Sequence, residues 1–150
     1  MKRILFLLLL FLVSTTAPAW GAERATGIGL KFALLPPERF GIEEAFGYLR
    51  WNDFLGIEGL VTSLEGGVRT DLRAVSLEFK LLLIGFPMEG GTVYPFTGFG
   101  ALLELSPKPE IIPEGSGGLA WSAPPVLLFG ELRIQTLRGM TTIFGFGFEF

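Results

Sequence analysis

Beyond residue 25 the chain alternates apolar with polar or small positions at a period of two, and turn residues interrupt the alternation about every ten to fifteen positions. A period of two puts alternate side chains on opposite faces of a strand, whereas a helix would scatter them around its axis. Segment 142–150 shows this best. Thr142, Phe144, Phe146, Phe148 and Phe150 share one face, and Ile143, Gly145, Gly147 and Glu149 the other. Segment 126–136 sets Phe129, Glu131, Arg133 and Gln135 against Val126, Leu128, Gly130, Leu132 and Ile134. The same reading predicts strands over 26–35, 41–51, 54–64, 71–83, 92–104 and, glycine-rich and short, 116–123.

Eight strands joined in chain order predict an all-β, antiparallel, up-and-down arrangement, and the regular spacing suggests a sandwich or barrel. Asn52-Asp53 reads as a two-residue hairpin turn, Pro124-Pro125 as a second tight joint and 85–91 as a short turn with Pro87. The remaining connections fall at 36–40, 65–70, 106–115 and 137–138. The longest, 106–115, holds Pro107, Pro109 and Pro113 and is expected to be extended and irregular.

The first residues have a different logic. Lys2 and Arg3 precede an unbroken apolar run from Ile4 to Val13, followed by small and polar residues through Ala22. This is the layout of a cleaved secretory signal peptide over 1–22, and the run is too short to span a bilayer as a helix. Residues 23–150 then form one domain, a β-barrel, with 10 basic and 15 acidic side chains, a net charge of −5. Apolar runs there reach only four residues, as at 81–84, so no transmembrane helix is expected, and 20 glycines and 9 prolines disfavour long helices. With no His and no Cys in the chain, disulfides, thiolate nucleophiles, Cys/His metal sites and imidazole bases are all excluded. The acidic balance leaves no footprint for nucleic acid. The glycine-rich stretches lack the strand–loop–helix context of a phosphate site, and no cofactor or metal is expected.

One strand face carries almost all the charge: Lys31, Glu44, Arg50, Glu58, Glu78, Lys80, Glu104, Glu131, Arg133 and Glu149. These fall one or two per strand near mid-strand, six acidic and four basic, so they can pair. The same face uses Gly, Phe and Tyr, which suits a cramped interior. The other face is nearly free of charge over about ten residues per strand, the length that spans an outer membrane. If β-strand one starts in the periplasm, Trp51, Phe54, Tyr94, Trp121 and Phe150 fall at the periplasmic rim as an interface girdle, together with the shortest joints.

On these features residues 23–150 resemble the small eight-stranded outer-membrane β-barrels of Gram-negative bacteria, the OmpA/OmpX-like group. The most specific element is the end of the chain, which resembles that group's assembly signal: Gly145, Phe148 and Phe150 match, while Ile143 stands where a polar residue is usual. The resemblance implies recognition of Phe148 and Phe150 by the barrel-assembly machinery, residence in the outer membrane among its lipids and lipopolysaccharide, and a monomer. The run from Tyr94 to Gly100 also looks like a strand of these barrels, with Pro95 expected near the strand's start at the rim.

An eight-stranded barrel is just wide enough for its own side chains, so a salt-bridged plug is expected rather than a diffusion pore. The favoured function is a structural or surface- and lipid-interacting outer-membrane protein, not an enzyme, with Arg69 and Arg73 near the outer rim able to meet lipid phosphates. The alternative is a soluble periplasmic lipocalin-like barrel that turns the phenylalanine face inward around a hydrophobic ligand. A lipid-modifying outer-membrane enzyme is a third reading. Its nearest candidate pair, Ser76 and Lys80, would lie about 13 Å apart along one strand.

Overall fold

The structure, a computed structural model, describes residues 23–35, 39–136 and 138–150. The expected signal peptide lies outside the described residues. Among the described residues nine strands form: β1 (Glu23–Leu35), β2 (Arg39–Asn52), β3 (Val61–Arg69), β4 (Ala74–Leu82), a short β5 (Phe86–Met88), β6 (Gly91–Glu104), β7 (Glu110–Ala123), β8 (Val126–Gln135) and β9 (Gly139–Glu149). Eight of them close a ring in the order β1-β2-β3-β4-β6-β7-β8-β9, every pair antiparallel and β9 pairing back onto β1, while β5 pairs only with β6. The chain is therefore a closed eight-stranded antiparallel β-barrel, which leaves no open sheet edge around the ring.

The register fixes the barrel's shape. One line of paired residues runs Arg24, Trp51, Thr62, Leu81, Thr97, Gly117, Leu132, Thr142 and returns to β1 at Leu34, ten residues from its start. With ordinary strand spacings, that stagger tilts the strands by about 40° and gives a backbone radius of about 8 Å. The nine residues of β4 then rise about 22 Å along the barrel axis.

The strand faces divide as the alternation predicts, but four boundaries move. The expected hairpin at Asn52-Asp53 is an eight-residue connection, 53–60, containing a 3-10 turn over Phe54–Gly56. The third strand is not 54–64 but Val61–Arg69, and the expected loop 65–70 is mostly strand, with 70–73 as the turn before β4. Its Glu65-Gly66-Gly67 sequence has turn composition, yet the glycine serves packing: a Cβ at Gly67 would overlap the Glu44 carboxylate from neighbouring β2, which would have to move. Strand β7 begins at Glu110, so only 106–109 remains of the expected long loop. Pro113 is tolerated inside β7 because its carbonyl accepts from Thr136 N–H (3.2 Å), so its nitrogen faces the side of β8, whose pairing starts only at Glu114↔Gln135. Pro95 is placed likewise, just past the Leu82↔Phe96 end of the β4–β6 ladder. The fourth difference is β5, a strand within the expected turn 85–91.

We call the rim where β1 begins and β9 ends the lower rim. It carries connections 53–60, 83–90 and 124–125, and the upper rim carries, among the described residues, 70–73, 105–109, Thr136 and Arg138. The expectation that the short joints gather at the lower rim is thus corrected: two of its three connections are eight residues long.

Candidate functional site

The two walls of the barrel carry opposite chemistries. Outward positions include Ile28 on β1, Leu77 on β4, Phe99 on β6, Leu119 on β7, Leu132 and Ile134 on β8, and Phe144 and Phe148 on β9, between 46% and 69% exposed. Register places them as neighbours on adjacent strands, so they form one apolar belt with no charged side chain between Val75 and Leu81 or between Val126 and Ile134 on the outer side. Such a continuous exposed apolar surface far exceeds the isolated patches of ordinary soluble surfaces.

The inward side chains stack in tiers. Under the upper rim lie Ala33, Ala74, Leu102, Ile112 and Ile143, all buried. Below them is the charged tier: Lys31, Lys80 and Arg133 with Glu44, Glu65, Glu78 and Glu131, each at most 6% exposed. Lys31 pairs with Glu65 and lies 3.5 Å from Glu44. Lys80 bridges Glu65 (2.8 Å) and Glu131 (2.9 Å). Arg133 Nη2 donates to Glu131 Oε1 at 2.7 Å, and Ser76 Oγ donates to Glu44 Oε1 at 2.8 Å. Ser116 donates to Glu78, and Gln135 Nε2 donates to Glu114 Oε2 at 2.9 Å. Because most carboxylates serve two donors or cations, the tier is a coupled network rather than a set of separate pairs. Ser76 and Lys80, the candidate catalytic pair, are engaged with different carboxylates.

The lysines also roof the next tier. Lys31 Nζ lies 5.1 Å from the centre of the Phe46 ring, and Lys80 Nζ lies 4.9 Å from Phe96 and 5.0 Å from Phe129. These rings, with Tyr48, Leu82 and Ala120, form the largest apolar cluster, and Phe46 meets Phe129 edge-on at 5.6 Å. The aromatic rings fit because glycines face them: a Cβ at Gly145 would overlap the Phe129 ring. At the lower mouth Arg50 binds Glu149 at 2.8 Å, and Tyr48 OH donates to the same carboxylate at 3.1 Å. Between this mouth and the aromatic tier is a cavity of about 30 Å³ lined by Ser63, Glu65, Lys80, Leu127 and their neighbours, room for about two waters.

Of the expected interior charges, Lys31, Glu44, Glu78, Lys80, Glu131 and Arg133 meet in the central tier, while Arg50 and Glu149 pair at the lower mouth. Glu104 instead pairs with Arg138 at the upper rim, 2.6 Å, half open to solvent. Glu58 is corrected outright: it is exposed in connection 53–60. Its expected place is taken by Glu65, seven residues on, which sequence reasoning had put in a loop. The available signal was the parity of Ser63, Glu65 and Gly67, an inward polar face cut short by reading Gly66-Gly67 as a turn. Glu114 was missed for a parallel reason, the prolines around it.

The expected girdle aromatics divide. Trp121 points outward beside Leu128. Trp51 is on the outer wall but only 3% exposed, packed with Leu49 and covered by Phe54 and Leu64. Phe54 in turn meets Phe79, and Phe79 meets Phe99, continuing an aromatic row across the wall. Tyr94 is corrected: it shares the inward parity of Phe96 and packs against the interior cluster.

No protein-family model and no curated protein matches the chain. A solved structure described as "De novo design of transmembrane beta-barrels" superposes with a TM-score of 0.52 at 10% identity, covering 87% of this chain and 99% of that one. The likeness is one of fold: this chain is a closed eight-stranded barrel similar to a transmembrane β-barrel design.

Proposed function

We propose that the chain is an integral outer-membrane β-barrel of the OmpA/OmpX-like kind, exported through its signal peptide, with a structural or surface- and lipid-interacting role and no catalytic one. The carrying observation is the pairing of an exposed, charge-free outer belt with a charged, tightly filled interior. A belt about 22 Å tall approaches the roughly 25 Å apolar band of such barrels. The interior ties its strands together and serves as a plug. Outer-membrane lipids and lipopolysaccharide are the proposed contacts. Arg69, 3.6 Å from Asp71, and Arg73 stand at the upper rim for lipid phosphates. Gly145, Phe148 and Phe150 form the proposed assembly signal, and Phe148 and Phe150 are exposed on the outer side as a recognition element would need. The competing reading, a soluble lipocalin-like barrel, needs the phenylalanine face turned inward around a ligand, whereas Phe144 and Phe148 stand on the outer wall, 46% and 51% exposed.

Cell fractionation with electrophoresis of boiled and unboiled samples tests the proposal. Mature protein in the outer-membrane fraction, with mobility that shifts on heating, is the expected result. Periplasmic protein with no shift would overturn it in favour of the soluble barrel.

A further inference from the structure

The outer belt does not stop at the barrel wall. Between Leu82↔Phe96 and Phe86↔Val93 the chain places three residues, Leu83, Ile84 and Gly85, opposite the two of β6, Pro95 and Tyr94. This is a β-bulge, which carries the β4 side of the wall onward into β5. Phe86 shares the face of Val93, which pairs with outward Trp121, so β5 prolongs the outer surface below the ring. Leu83, Ile84, Phe86 and Met88 are 49%, 79%, 57% and 61% exposed. Next to them on the rim, connection 53–60 folds against the outer wall through Phe54 and turns Leu55 and Ile57 outward, 69% and 56% exposed. Leu55 is held there in a left-handed backbone (φ 56°), and the loop is closed by Asp53 accepting from Gly59 N–H at 2.7 Å. On the opposite side of the lower rim, the connection among the described residues is the two-residue joint 124–125.

Charge on this extension is of one sign. The charged residues of 53–60 and 83–90 are all acidic, and the two besides Asp53, Glu58 and Glu89, are exposed in the turns of their connections. Exposed apolar side chains with carboxylates confined to the turns suit a segment that lies between acyl chains, headgroups and water. The absence of basic residues from these two loops suits a zwitterionic leaflet rather than an anionic one.

We infer that connections 53–60 and 83–90 form an apolar foot that inserts into the interfacial layer of a phospholipid leaflet, so that the β2–β6 side of the barrel sits deeper than the β7–β9 side. This rests on the membrane reading above. The chain has no cysteine, so single thiols can be placed at will. Ile57→Cys, Ile84→Cys and Phe86→Cys would carry an environment-sensitive fluorophore, with Leu77→Cys and Leu132→Cys as belt references and Glu89→Cys as a turn reference. Folding of each is checked by heat-shifted mobility. In phosphatidylcholine vesicles the foot labels should shift to the blue and lose intensity to lipid-borne quenchers, as the belt labels do, while the Glu89 label answers to aqueous iodide. Foot labels that behave like the Glu89 label, or that are shielded from both quenchers by a second copy or another protein, would overturn the inference. Belt labels open to iodide would instead overturn the membrane reading itself, which keeps the two failures apart.

Discussion

On β8, Glu131 and Arg133 point inward at 2% exposure each, while their neighbours Leu132 and Ile134 point outward at 49% and 60%. The same four residues of backbone serve two solvents. The inner positions are specified one by one: Glu131 is answered by Lys80 from β4 and Arg133 from its own strand, and a buried carboxylate needs such partners. The outer positions are specified only as a class, because Leu132 needs an apolar environment and no particular partner. Inner-wall substitutions should therefore be costly and coupled, and outer-wall substitutions tolerated until they introduce charge.

The largest expected effect is at Lys80. Among the seven central charges the carboxylates already outnumber the cations four to three, and Lys80 faces Glu65, Glu78 and Glu131. Lys80→Met leaves those carboxylates short of a partner in a buried site and should cost about 3–5 kcal/mol by urea unfolding of the folded barrel in lipid. In a double-mutant cycle with Glu131→Gln, the second loss should be smaller than it is alone, whereas additive losses would mean that the tier is not coupled. Next comes the outer wall. Leu77→Arg, at the middle of β4, should cost about 2–4 kcal/mol in a bilayer, whereas Leu77→Met should cost less than about 1.5 kcal/mol. Equal tolerance of both would place Leu77 in water.

A smaller effect tests the fit between tiers. Gly145→Ala pushes a methyl group into the Phe129 ring, which is itself braced by Phe46, and should cost about 1–3 kcal/mol. Phe129→Leu in the same chain should recover part of that loss. The smallest effects belong to the charges outside both walls. Glu104→Gln breaks a half-exposed pair with Arg138 and should cost about 0.2–1 kcal/mol, less in high salt. Glu58→Gln should be neutral within about 0.5 kcal/mol. A large effect at Glu58 would restore it to the interior and undo the observed register of β3.

The strand pattern was legible wherever outward large apolar residues alternated strictly with charged or small ones, as on β1, β4, β8 and β9. It failed where glycine and proline served packing rather than turning. Gly66-Gly67 reads locally as a loop, but in the barrel Gly67 is the space the Glu44 side chain occupies. Pro113 reads as a break, but its nitrogen faces a place where β8 has already ended. Tyr94 could be assigned to a rim but not to a face, because the bulge at 83–85 and Pro95 disturb the count there.

The sequence by itself determined that the chain makes strands, about how many there are, and that one face is charged and the other apolar, since a period of two survives any choice of partners. Only the tertiary structure decided which charges meet. Lys31, Glu65, Lys80 and Glu131 come from four different strands, and their contact follows from ring closure and a ten-residue stagger, quantities carried by hydrogen-bond register around the whole barrel and by no single segment of the chain.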